Sequence, residues 1–153
     1  MDRIDRELIS ALSTNGRATY QELGDLVRLS ANSVAERVRR LQRDGVITGF
    51  AAVIDEKALG MQLAVRSDIK LHGGVERIEF AESLTRVPQV IGAVRLTGEY
   101  DYQLHIVCRD TAELESVVEE LKRNYGVANV NSRLILREVP VDKAKLLSAL
   151  PWR

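Results

Sequence analysis

The chain has 153 residues, of which 45% are hydrophobic and 29% charged, and its formal net charge is zero. This composition is typical of a soluble globular protein with one or two small domains and excludes a disordered or fibrous chain. No apolar run reaches the roughly 18 residues of a membrane helix. Cys108 is the single cysteine, so no intramolecular disulfide can form. The N-terminus is charged and enters a helical pattern at once, unlike a signal peptide. We therefore expect a cytoplasmic protein without a membrane partner.

The first fifty residues predict three short helices. Apolar residues of the first helix follow the i, i+4, i+7, i+8 spacing of one buried face: Ile4, Leu8, Ala11 and Leu12. Thr19 to Glu22 has the form of a capping box and begins a second helix that runs through Val27. The apolar residues expected to be buried there are Leu23, Leu26 and Val27.

Ser30 can cap the third helix, which continues to Asp44 and stops at Gly45. A strand is predicted over Val46–Ile54. Helix, helix, tight turn, helix and strand is the order of a winged helix-turn-helix. We assign residues 1–50 to this domain and residues 51–61 to a hinge strand and linker.

The remaining pattern predicts a ferredoxin-like βαββαβ domain over residues 62–140, followed by a C-terminal helix and tail over 141–153. In chain order its elements are a strand Leu63–Leu71, a helix Val75–Arg86, strands Val90–Leu96 and Tyr102–Arg109, a helix Asp110–Tyr125 and a strand Ser132–Val139. Lys143–Leu150 is predicted as a short terminal helix. The first helix should bury Ile78, Ala81 and Leu84. The fold class is therefore α+β.

The third helix carries the most concentrated charge of the chain. Arg28 to Arg43 holds five arginines against the single acid Glu36, a net charge of +4, whereas residues 51–153 carry −1. Val34, Val38 and Leu41 should pack inward. The outward face is our candidate DNA-binding surface, formed by Ser30, Asn32, Ser33, Glu36, Arg37, Arg39, Arg40 and Arg43. Charge alone favours a merely solvated face, but the turn, the cap and the following strand favour double-stranded DNA.

Enzymatic interpretations fare poorly. His72 and His105 are the only histidines, and His105 and Cys108 lie on opposite faces of one strand. Asp101 and His105 are about 13 Å apart along that strand and cannot chelate one ion. No phosphate-binding loop or nucleophile elbow is present. We expect no metal, no cofactor and no enzyme activity, although an acylphosphatase-like enzyme remains formally compatible with this fold.

The two predicted helices cover one face of the four-stranded sheet. Apolar residues are predicted among polar ones on the second face: Ile91, Ala93, Val107 and Ile135 with Arg95, Gln103, His105 and Arg133. Self-association and a water-facing sheet account for this mixture equally well.

Three stretches carry a family resemblance: "DRIDRELISAL", "LSANSVAERVRRLQRDGVITGFAAVID" and "LTGEYDYQLHIV". In this order and spacing they resemble the Lrp/AsnC (feast/famine) family of transcriptional regulators over nearly the whole chain. The resemblance implies a homodimer, assembling further to an octamer, whose DNA affinity or assembly is tuned by a small effector, commonly an amino acid. The alternative function is a stand-alone amino-acid-binding or metabolic ferredoxin-like module.

The resemblance also implies that the effector site is lined by the loop between the second and third predicted strands. The candidate effector-binding residues are Thr97, Gly98, Glu99, Tyr100, Asp101 and Ser132. The residues alone favour a plain hairpin with Gly98 at positive φ and Asp101 bonded to its own turn, and the match over the rest of the chain favours the effector pocket. This chain departs from the family at Val130 and Ser132, where threonines are common, and at Glu36, where a basic residue is common.

Overall fold

The computed structural model describes residues 1–150, which form two compact units. Unit 1 contains Met1–Val53 together with the segment from Val139 onward, and unit 2 contains Ile54–Glu138. Each unit has its own hydrophobic core. Within the described residues no helix has the length and apolar character needed to cross a membrane.

Unit 1 is built on three helices: α1 (Arg3–Thr14), α2 (Tyr20–Val27) and α3 (Ala31–Arg43). Their apolar faces meet in one cluster formed by Leu8, Leu23, Val27, Val34 and Val38. The predicted helix-turn-helix is thereby confirmed. Leu26, predicted to be buried, is exposed, because α2 turns only one side toward its neighbours.

Side-chain caps define where these helices begin. Thr19 accepts a hydrogen bond from the Glu22 amide, and the Glu22 carboxylate accepts one from the Thr19 amide, as the sequence predicted. Ser30 likewise accepts from the Ser33 amide at the start of α3. After α3, Gly45 adopts a φ of +70°, a conformation that glycine reaches without steric strain.

The strand predicted over Val46–Ile54 does not form in the described chain, and unit 1 has no wing strand. The amides of Val46 and Ile47 instead bond the Leu41 carbonyl at 2.9 and 3.0 Å, closing the end of α3. Val53 is fully exposed. A segment with strand-forming residues becomes a strand only where a neighbouring strand supplies hydrogen bonds, and no strand of residues 1–150 pairs with this one.

Unit 2 has the predicted βαββαβ order. Its elements are β1 (Leu63–Leu71), α4 (Arg77–Ser83), β2 (Val90–Arg95), β3 (Tyr102–Cys108), α5 (Thr111–Asn124) and β4 (Val127–Leu134). The sheet order is β2-β3-β1-β4 and every pairing is antiparallel, which is the ferredoxin-like arrangement. A short 3₁₀ segment at Leu84–Arg86 extends α4. Another, at Lys143–Ala149, stands where the terminal helix was predicted.

Two predictions for unit 2 were wrong: the start of β4 and the buried side of α4. Strand β4 begins at Val127 instead of Ser132, because Val127 pairs with Leu71 at the end of β1. Helix α4 buries Phe80 and leaves Ile78 74% exposed. A helix of two turns has too few residues for its apolar spacing to specify which side faces the sheet.

The strand pairings also assign residues to sheet faces, because directly paired side chains point the same way. Gln103, His105 and Val107 lie on the face opposite the buried Leu104 and Ile106, as predicted. Residue Ala93 pairs with Leu104, and Arg95 pairs with Tyr102, so both belong to the helix-covered side and not to the open face. A register shift in β2 between Val90 and Gly92 produces this difference.

Candidate functional site

The exposed face of α3 contains the residues selected from the sequence. Asn32, Glu36, Arg39 and Arg43 are exposed, whereas Val34, Val38 and Leu41 are buried as predicted. Near the helix start, the Ser30 and Ser33 hydroxyls are 2.9 Å apart and hydrogen-bond each other. The start of the helix is therefore polar and capped, with short side chains.

A buried carboxylate on α1 faces the arginines of α3. Asp5 is only 1% exposed, and its oxygens accept hydrogen bonds from Arg37 Nη1 and Arg40 Nη2, each at 2.9 Å. The Asp2 amide donates a further bond of 3.0 Å to Asp5. Arg37 also bonds the Asp2 carboxylate at 2.7 Å. We call Asp2, Asp5, Arg37 and Arg40 the α1–α3 ion cluster.

The charges in this cluster stabilise one another. The pKa of Asp2 is lowered chiefly because its carboxylate accepts the Asp5 amide hydrogen bond, and next because Arg37 donates to it. The hydrogen bonds from Arg37 to Asp2 and then to Asp5 raise the pKa of that guanidinium. Asp2 and Arg37 therefore both stay ionised across the physiological pH range.

Sequence reasoning missed Asp5, although a signal was present. Asp5 lies three residues before Leu8 and seven before Leu12, so it occupies a position on the apolar face of α1. An acid on the buried face of a helix requires a compensating cation. The arginines of α3 were the available partners within the same domain.

A second, exposed set of ion pairs lies farther along α3. Glu36 is paired with Arg39 at 3.5 Å and with Arg43 at 3.3 Å, and all three side chains are more than 60% exposed. Exposed pairs of this kind contribute about 0–1 kcal/mol. Removing one partner from a buried pair costs about 3–5 kcal/mol. Arg39 and Arg43 can therefore exchange partners readily, whereas Arg37 and Arg40 are held by Asp5.

The loop between β2 and β3 is a hairpin closed by a hydrogen bond from the Leu96 amide to the Asp101 carbonyl, 2.9 Å long. Gly98 adopts a φ of +102°, and no atom lies within 4 Å of the position where a Cβ would stand. Thr97 and Glu99 are exposed, and Tyr100 is half-buried. The tip of the loop thus presents bare backbone to open space.

The Asp101 carboxylate does not bond its own turn. It accepts the Leu71 amide at 2.9 Å and lies 3.8 Å from Lys70 Nζ and 3.6 Å from Arg77 Nη2. The Leu71 hydrogen bond is the main cause that lowers the pKa of Asp101, and both cations act in the same direction. The carboxylate therefore fastens the loop to the end of β1.

The structure does not bring Ser132 to this loop within one chain. Ser132 Oγ lies 2.8 Å from Ser67 Oγ, beside the middle of β1. Asp101 contacts Leu71, four residues farther along the same strand, which corresponds to about 13 Å. One chain alone therefore does not gather all six candidate effector residues.

The candidates for enzyme chemistry are not arranged for catalysis. Cys108 is fully buried, and burial raises the pKa of its thiol to about 11. His105 lies on the opposite sheet face. Across residues 1–150, no group of three His, Cys, Asp or Glu side chains is placed to hold a metal ion.

The three-helix unit and the antiparallel sheet define a protein with a helix-turn-helix domain and a separate α+β domain. Residues 1–42 match the AsnC-type helix-turn-helix domain, and residues 65–144 match the Lrp/AsnC ligand binding domain. The chain belongs to the Lrp/AsnC family of transcriptional regulators. The relatives described next carry the names of transcriptional regulators.

Relatives of this family align over nearly the full chain. The HTH-type transcriptional regulator Rv2324 of Mycobacterium tuberculosis is 32% identical over 136 residues, covering 89% of this chain and 92% of the relative. The regulator AldR of Mycolicibacterium smegmatis is 36% identical over 143 residues, covering 91% and 83%. The crystal structure of the transcriptional regulator NMB0573 from Neisseria meningitidis, a complex with L-Met, is 27% identical with a TM-score of 0.84, covering 94% and 95%.

Proposed function

We propose that this regulator binds double-stranded DNA through α3 and that an amino acid tunes its DNA affinity or its assembly. The observation that carries the DNA part is the exposed polar face of α3 on a helix-turn-helix scaffold. In this motif the second helix of the turn lies in the major groove, with its N-terminal residues near the base edges. We therefore assign Asn32, Ser33 and Glu36 to the bases, with Ser30 fixing the start of the helix.

The arginines of α3 divide into two roles under this proposal. Arg39 and Arg43 have only exposed ion pairs to give up, so we assign them to the DNA phosphates. Arg37 and Arg40 hold α3 against α1 through Asp5. Because Arg40 remains 46% exposed and a guanidinium has five donors, it can still add a phosphate contact.

A salt titration of DNA binding tests this assignment. We expect Arg39→Ala and Arg43→Ala each to weaken binding to DNA from upstream of the protein's own gene. Each variant should also reduce the log–log salt slope by about 0.9, the value for one lost phosphate contact. Fluorescence anisotropy between about 50 and 200 mM salt measures both quantities.

Arg123→Ala is the matched control, because it removes one exposed arginine from α5 in the other unit. Its affinity and slope should equal those of the wild-type protein. If Arg39→Ala and Arg43→Ala leave affinity and slope unchanged, the phosphates are contacted by another surface.

The amino-acid part of the proposal rests on the β2–β3 loop and on the L-Met complex of the Neisseria regulator. Gly98 leaves room for a ligand carboxylate to approach backbone amides, and Glu99 is exposed to meet an ammonium group. The Asp101 carboxylate already has its partners, so we assign it to positioning the loop. Thr97, Tyr100 and, from a neighbouring chain, Ser132 would complete the pocket.

Calorimetry with the twenty amino acids tests the effector site. We expect at least one to bind wild-type protein, and Glu99→Gln to weaken that binding because the ammonium loses its anionic partner. Glu119→Gln, an exposed glutamate on α5, should bind normally. Binding of no amino acid, or unchanged binding by Glu99→Gln, would remove the effector from this loop.

We further propose that the chain forms a homodimer through the open face of the sheet and assembles further, to an octamer. The exposed Val94 on β2 pairs with Gln103 and places apolar surface on that face. In the same layer Asp68 is 8% exposed and accepts hydrogen bonds from Gln103 and Arg133, so its charge is already satisfied. A DNA regulator of this kind would act in the cytoplasm.

A further inference from the structure

Glu36 occupies an unusual place for an acid. It lies near the start of α3, among Asn32 and Ser33, on the surface assigned to DNA. Its carboxylate reaches Arg39 through Oε2 and Arg43 through Oε1, so one side chain is paired with two arginines at once. Those two arginines are the ones not held by Asp5.

We propose that Glu36 sets the DNA sequence preference of this regulator, by accepting a hydrogen bond from the N4 amino group of a cytosine in the major groove. This inference rests on the proposed DNA-binding function. Among the bases, cytosine presents only a donor in the major groove, and a carboxylate is the side chain that matches it. Guanine and thymine present acceptors there, and adenine presents its N6 donor directly beside the N7 acceptor, which repels a carboxylate.

The ion pairs add a second consequence of the same residue. On non-specific DNA, Glu36 competes with the phosphates for Arg39 and Arg43 and repels the nearest phosphates. On the correct site the cytosine amino group occupies the carboxylate, and the two arginines are released to the backbone. Glu36 thus lowers affinity for random DNA more than affinity for the chosen site.

Selection from a randomised double-stranded DNA library tests the proposal with the full-length protein. Wild type should enrich sites with cytosine at one fixed position. Glu36→Gln should no longer enrich cytosine at that position, and its preference for cytosine over the other bases there should fall on the order of tenfold or more. The variant should favour adenine, which Gln matches with two hydrogen bonds. On random-sequence DNA, Glu36→Gln should bind tighter, with a salt slope steeper by about 0.9 for each arginine released.

Glu7→Gln is the matched control, since it removes one acid from α1 in the same unit. It should enrich the same sites as wild type. Because Glu36 is 64% exposed, its variant should melt at the wild-type temperature, which circular dichroism checks.

The outcomes separate the two proposals. If wild type enriches no sequence, the DNA-binding proposal fails, and the role of Glu36 with it. If wild type enriches a site and Glu36→Gln enriches the identical site, Glu36 does not read a base and only this inference is overturned. Equal gains in affinity for chosen and random DNA would also overturn it, because they would show general charge repulsion without base discrimination.

Discussion

Replacing Asp5 by alanine should destabilise unit 1 more than any surface change in it. The substitution removes the carboxylate that accepts hydrogen bonds from Arg37, Arg40 and the Asp2 amide. Loss of one partner from a buried pair costs about 3–5 kcal/mol. The lower end applies, because Arg37 and Arg40 keep 24% and 46% of their side-chain surface in solvent and can rehydrate.

A loss of about 3 kcal/mol is a large share of the 5–15 kcal/mol that stabilises a typical domain. For a domain of 60–100 residues it corresponds to a fall in Tm on the order of 12–24 °C. Urea denaturation followed by helical circular dichroism measures the change, and hydrogen exchange assigns it to α1 and α3. Asp25→Ala, at an exposed acid on α2, should change stability by less than about 0.5 kcal/mol.

A double-mutant cycle isolates the pair itself. Asp5→Ala should cost less free energy of unfolding when Arg40 is already alanine, because the Asp5–Arg40 pair is then absent in both proteins and only the Arg37 and Asp2 amide contacts of Asp5 are lost. Stability of Asp5→Ala within about 0.5 kcal/mol of wild type would show that the buried cluster does not hold α1 to α3. Loss of DNA binding in Arg37 or Arg40 variants must likewise be compared with their unfolding curves.

Three further outcomes follow from individual contacts. Gly24→Ala should destabilise the helix-turn-helix by on the order of 1–3 kcal/mol in thermal melts, because the added Cβ would stand 2.5 Å from the Leu29 carbonyl oxygen. A variant that melts at the wild-type temperature would show that the turn can relax. Asp101→Asn should be less stable than wild type at pH 7. Since the folded pKa of Asp101 is lowered, this difference should shrink as pH falls through its ordinary value of 3.8, and a difference independent of pH would exclude the Leu71 contact as its source. Burial, together with the nearby Arg66, lowers the pKa of His105, so the folded protein favours the neutral form and its stability should fall as pH drops below 6.5. In denaturation at pH 5 and 7, His105→Gln should lose this pH dependence of the unfolding free energy. The same pH dependence in both proteins would contradict the prediction.

Local sequence signals predicted most of the element boundaries. Thr19 and Ser30 were predicted as caps, and each side chain accepts the expected amide three residues later. Strand β1 begins and ends where the alternation of apolar residues does, at Leu63 and Leu71. These features depend on residues within a few positions of each other, so the sequence carries them directly.

Features that depend on distant partners were missed or misplaced. Val46–Ile54 has strand-like residues but no neighbouring strand, and β4 takes its register from Leu71, far away in sequence. The strand predicted over Val46–Ile54 and the predicted start of β4 were both wrong for the same reason. Whether a segment forms a strand, and where that strand begins, depends on the neighbouring strand that supplies its hydrogen bonds.

The chain by itself determined the family, the helix-turn-helix, the βαββαβ order and which residues carry charge. Only the tertiary structure decided which charged side chains are held in buried contacts and which stay in solvent. It buried Asp5 between two arginines, engaged Asp101 with the Leu71 amide, and left Glu36 with Arg39 and Arg43 in solvent. The physical reason is that the strength of an ion pair depends on its burial, and burial is set by how the helices and strands pack.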